Sequence, residues 1–157
     1  MSDHFHERLG LKFRDCLGRR TLLYGETSTG KTQITSNFIQ HLLEVEEKTP
    51  KIISILDLAP PLQHIDQMKI GGRISDYYPP SKVCNYLSPR ERIIPPRLEA
   101  SSRGELHENA CHNFKETWHL LEKFRKNHTE ILIINDISIH LHVGSLNHLL
   151  NVIQKSN

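Results

Sequence analysis

Two nearly continuous aliphatic runs, each closed by an acid, frame the chain: Lys51-Ile52-Ile53-Ser54-Ile55-Leu56-Asp57 and Glu130-Ile131-Leu132-Ile133-Ile134-Asn135-Asp136. Runs that are apolar at successive positions suit strands of a parallel sheet covered on both faces. Arg20-Thr21-Leu22-Leu23-Tyr24 reads as a shorter buried strand, and Lys82-Val83-Cys84-Asn85-Tyr86-Leu87 as another. Between these runs the period changes. Ile34, Phe38, Leu42 and Val45 recur at intervals of four, four and three, which predicts a helix over 31–47 with one apolar face, ended by Pro50. Ser102-Arg103-Gly104-Glu105 has the spacing of a capping box, and Leu106, Ala110, Phe114, Trp118, Leu121 and Phe124 carry a helix from there to about Asn127. Leu146, Leu149, Leu150 and Ile153 predict a last amphipathic helix. Alternating strands and helices imply one α/β domain over residues 1–157, built in three layers around a mainly parallel sheet of about four to five strands.

The stretch with the most specific chemistry lies between the first short strand and the first helix. Gly25-Glu26-Thr27-Ser28-Thr29-Gly30-Lys31-Thr32 matches G-x-x-x-x-G-K-[ST] at every fixed position. Glycines let the backbone fold around an anion with its N–H groups inward, Lys31 brings a charge for the β/γ-phosphates, and Thr32 offers a hydroxyl to Mg²⁺. With Gln33 in the first helical turn, Gly25 to Gln33 form the expected nucleotide-binding set. The carboxylates closing the two long strands fall where open α/β sheets place their ligands. Asp136 is the expected Mg²⁺ ligand beside Thr32, in the Walker B arrangement. Asp57 fits two roles equally well, a functional carboxylate at the ligand end of the sheet or a cap for the turn at Ala59-Pro60-Pro61.

These motifs resemble the P-loop NTPase superfamily. Leu23-Tyr24-Gly25-Glu26 and the Asp136-Ile137-Ser138 ending look weakly like its RecA-like branch. Ile137 stands where AAA+ proteins carry a catalytic Glu, and no N-K-x-D base-reading motif of GTPases is present. The resemblance implies a P-loop NTPase fold binding ATP with Mg²⁺. It further implies hydrolysis, with Lys31 and Asp57 as catalytic residues. Two other outcomes stay open: a small-molecule kinase with Asp57 as base, and a nucleotide-dependent module that binds protein or nucleic acid with little hydrolysis. RecA-like cores continue through more strands than this chain supplies, so it resembles either a shortened version of that core or one whose sheet and site a second copy or another protein completes.

Residues 58–103 hold seven of the eight prolines, and from Lys69 to Arg103 seven basic residues stand against three acidic ones. A long irregular connection of this kind reads as a lid or a partner-binding insertion, with Arg90, Arg92, Arg97 and Arg103 available to phosphates. An ordinary charged surface loop is the competing reading. Overall charge adds little: 20 Lys+Arg against 18 Asp+Glu neither requires nor excludes nucleic acid. Cys16, Cys84 and Cys111 are odd in number and widely spaced, as free thiols of a cytoplasmic protein would be. No aliphatic run is long enough to span a membrane. Among the 11 histidines, His140 and His142 would share one face of an extended segment, but no third ligand stands nearby and a surface pair is the stronger reading than zinc. Trp118 reads as core rather than a base-stacking platform.

Overall fold

The computed structural model describes residues 12–65, 68–95 and 99–154. The lead-in positions Phe5, Leu9 and Leu11, and Arg97 of the basic segment, lie outside the described residues. After a 3-10 turn at Phe13–Cys16, helix α1 spans Lys31–Glu44 and strand β1 spans Ile53–Asp57. Strands β2 (Gln63–Ile65) and β3 (Met68–Ile70) pair antiparallel as a small separate ribbon. Helix α2 (Ile74–Tyr77) and a 3-10 turn at Pro79–Val83 lead into β4 (Asn85–Leu87). The long helix α3 (Arg103–Lys126), β5 (Ile131–Asn135), α4 (Ser138–Leu141) and α5 (Leu146–Ile153) follow.

The main sheet is parallel, in the order β4-β1-β5. All five residues of β1 are buried, as its uninterrupted apolar run requires of a central strand. Strand side chains alternate between faces. Ile53 and Ile55 of β1 and Ile133 of β5 therefore join Ile39 and Leu42 of α1 and Ile74 of α2 in one cluster. Leu56, between Ile55 and Asp57, faces the other way by the same alternation and packs with Leu120, Leu121 and Phe124 of α3 and Leu149 and Val152 of α5. Helices thus cover both faces of the sheet.

Among the described residues the parallel sheet has three strands rather than four or five. The strand expected at Arg20 to Tyr24 is not formed; Leu22 is 73% exposed and Tyr24 86%. A run this short gains burial only beside a partner strand, and none of the described strands pairs with it. The helix phases also shift. In α1 the buried positions are Ile34, Ser36, Ile39 and Leu42, with Val45 exposed, and in α3 they include the polar Asn113 and Thr117, with Leu106 exposed. Asn113 explains part of that rotation: it accepts from Ile94 N at 2.9 Å and donates to Ile94 O at 2.7 Å, as a strand neighbour would. The expected cap of α3 is present, Ser102 Oγ accepting from Glu105 N at 3.2 Å.

The described residues of the 58–103 segment form more regular structure than its prolines imply. They contain β2, β3, α2, a 3-10 turn and β4, and Ile74 and Ile93 are fully buried. Gly71, at φ +74°, brings this segment back against β1's exit: a Cβ there would lie 2.8 Å from Pro61 O. None of the three cysteines is in a disulfide, and no helix among the described residues is long and apolar enough to cross a membrane.

Candidate functional site

The loop before α1 has the conformation its glycines allow. Gly30 is left-handed (φ +85°) at the helix N-cap, and no side chain caps the 14-residue helix there. The first amides of α1 therefore lack intrahelical partners and face an N-terminus that favours negative charge. Lys31 folds back over the loop, its Nζ donating to Gly25 O at 2.9 Å and to Glu26 O, with Thr29 Oγ1 3.4 Å away. Thr29 Oγ1 in turn donates to Glu26 O at 2.8 Å. The ammonium thus lies against two carbonyls and a hydroxyl of its own loop, in exposed contacts. Ser28 is left-handed too (φ +62°), Thr27 is exposed, and Gln33 points along the helix, donating to Asn37 Oδ1 at 2.9 Å.

Thr32 reaches across to the sheet: its Oγ1 donates to Asn135 Oδ1 at 3.4 Å, linking residues 103 apart in sequence. Asn135 Nδ2 donates to Asp57 Oδ1 at 2.9 Å, directly across the β1–β5 register. Asp57 Oδ2 accepts from Ile74 N at 2.7 Å and from the Tyr86 hydroxyl. Strand parity produces this cluster. Tyr86 pairs with Ile55, Asp57 with Asn135, and Ile53, Ile55 and Asp57 share the face that α1 covers. Burial pushes the Asp57 carboxyl up from the usual carboxylate range, and donation by Tyr86, Asn135 and Ile74 pulls it back in part. The Tyr86 hydroxyl is pushed up as well, by burial and by the neighbouring Asp57 charge.

Asp136, expected beside Thr32, is one position out of phase. It is exposed, left-handed (φ +58°), and accepts from Ser138 Oγ at 2.7 Å as α4 begins. The structure brings Thr32, Asn135 and Asp57 together and leaves Asp136 outside that cluster. Sequence reasoning missed Asn135 and Tyr86: alternation puts Asn135 on the same face as Ile133 and Asp136 on the opposite one, but only the packing of α1 shows which of those faces meets Thr32.

The remaining candidates lie elsewhere. Arg92 is paired with Glu99 (2.5 Å), and Arg90 and Arg103 are exposed. The segment expected to be extended at His140 to His142 is the turn of helix α4 and its cap, so the two rings do not share a face; His140 is fully buried and His142 exposed. His140 Nδ1 is 2.9 Å from Thr117 Oγ1, and burial, aided by nearby His148, pushes its pKa down to about 4. Among the described residues no three His, Cys, Asp or Glu side chains gather as a metal site. A surface depression lined by Phe114, Lys115, Trp118 and His119 lies on α3 and shares no residue with the loop. In comparisons with protein-family models, curated proteins and solved structures, nothing matches this chain.

Proposed function

We propose that this chain is a P-loop protein that binds a nucleoside triphosphate, ATP in the first instance, through Gly25 to Gln33. What supports the reading is the Lys31 ammonium held within the turned loop at the uncapped N-terminus of α1. Phosphate oxygens are better partners for an ammonium than neutral carbonyls. On binding, Lys31 would exchange Gly25 O and Glu26 O for the β/γ-phosphates while the amides of Lys31, Thr32 and Gln33 meet the same oxygens. A parallel sheet between helices, with this loop at the strands' carboxyl ends, is consistent with a reduced P-loop NTPase fold.

Of the uses open to the bound nucleotide, a binding module with slow hydrolysis fits better than a fast hydrolase or a kinase. The observation that favours it is Asp57. A general base, or a carboxylate that orients water, must reach the substrate, and both Asp57 oxygens already accept hydrogen bonds in a fully buried position. Lys31→Ala should weaken ATP and ADP binding tenfold or more by calorimetry, equivalent to about 1.4 kcal/mol. Unchanged affinity in a folded variant would rule the loop out. Turnover by the wild type should lie well below the roughly 10 s⁻¹ of a median enzyme.

A further inference from the structure

The resemblance to P-loop proteins implies a Mg²⁺ site beside Thr32, and the donors gathered there do not fit that role. Mg²⁺ is held by hard oxygens, usually one or two carboxylates together with the substrate's phosphates. Facing Thr32 is the side-chain amide of Asn135, with its oxygen toward the Thr32 hydroxyl. The one carboxylate of the cluster, Asp57, stands behind that amide and is bonded to Asn135, Ile74 and Tyr86. Asp136, the residue after Asn135, is exposed and makes no hydrogen bond with Thr32, Asn135 or Asp57; its Oδ1 accepts from Ser138 Oγ at 2.7 Å. The groups bonded together at Thr32 are therefore a neutral hydroxyl and a neutral amide.

Resting on the nucleotide reading above, we propose that Asn135 is a positioning residue that frees the site from metal: the protein binds ATP about equally with and without Mg²⁺. By linkage, Mg²⁺ can strengthen ATP binding only as far as the protein improves the cation's own surroundings. Here Asn135 supplies no charge for that purpose. Metal-free ATP also brings more negative charge to Lys31 and to the N-terminus of α1, which acts in the opposite direction.

The arrangement also indicates how to reverse the property. In the double variant Asp57→Asn with Asn135→Asp, the new amide at 57 can accept from Ile74 N and Tyr86 with its oxygen and donate to the new carboxylate at 135. The pair is preserved, and its charge moves next to Thr32. Calorimetric titration of ATP into both proteins, in excess Mg²⁺ and in chelator, gives the ratio of the two affinities. The wild type should show a ratio within about threefold, and the double variant should favour Mg²⁺ by tenfold or more. A wild-type preference for Mg²⁺ of tenfold or more overturns the proposal, whether or not the variant folds. So does a folded variant that binds ATP with the wild-type ratio. Absence of wild-type binding in both conditions would instead remove the nucleotide reading, and this inference with it.

Discussion

Asp57 and Asp136 are both acids at strand ends, yet one is fully buried under three named donors and the other is exposed. Asp57→Ala should therefore cost about 3 kcal/mol in urea unfolding, because it leaves the Ile74 amide, the Tyr86 hydroxyl and the Asn135 amide without their acceptor. Asp136→Asn, which keeps a residue type that tolerates the left-handed backbone, should change stability by no more than about 0.5 kcal/mol. Equal losses in the two variants would contradict the cluster as described. His140 gives a pH signature. Its pKa is lowered to about 4, so the fold favours the neutral ring; that contribution is complete above the ordinary histidine value near 6.5 and is lost as pH falls toward 4. Glu122, held at about 2 by Arg125 and His148, loses its contribution at lower pH, and Asp57, raised by burial, acts in the opposite sense. The difference in melting temperature between wild type and His140→Gln should accordingly narrow from pH 6.5 to 4, and a pH-independent difference would show that His140 is not held neutral.

At the scale of elements, the sequence was legible wherever burial alone decides. The β1 and β5 runs, the α1 and α3 ranges and the Ser102 cap all follow from periodicity and capping chemistry, and the structure has each of them. Leu121 lies where α3 meets β1 and α5, so Leu121→Ala should destabilise the protein by about 2–5 kcal/mol in chemical denaturation. What the pattern did not yield depends on partners distant in the chain. Arg20 to Tyr24 has the composition of a strand but no neighbour among the described strands to pair with, and the rotation of α3 goes with Asn113 taking the place of a strand beside Ile94. The loop at Gly25 to Thr32 was legible because its residues act locally, through glycine conformations and a lysine folding back over its own turn. The Thr32–Asn135–Asp57 connection was not, because it depends on the register of β1 against β5 and on which face of that pair α1 covers.

Over the whole molecule, one face of the sheet is an apolar seal against α3 and α5, while the α1 face ends in a polar cluster beneath the loop. The nucleotide reading therefore places ligand contacts at a single end of the protein, reaching inward only as far as Asn135. Titrating ATP into isotopically labelled protein and following the backbone amide shifts tests this most directly. The account predicts the largest shifts in Gly25 to Gln33, a smaller response at the Asn135 side-chain amide, and little change along α3 and α5. Saturating ATP that leaves Gly25 to Gln33 unmoved, or that shifts the Phe114 to His119 surface instead, would contradict it.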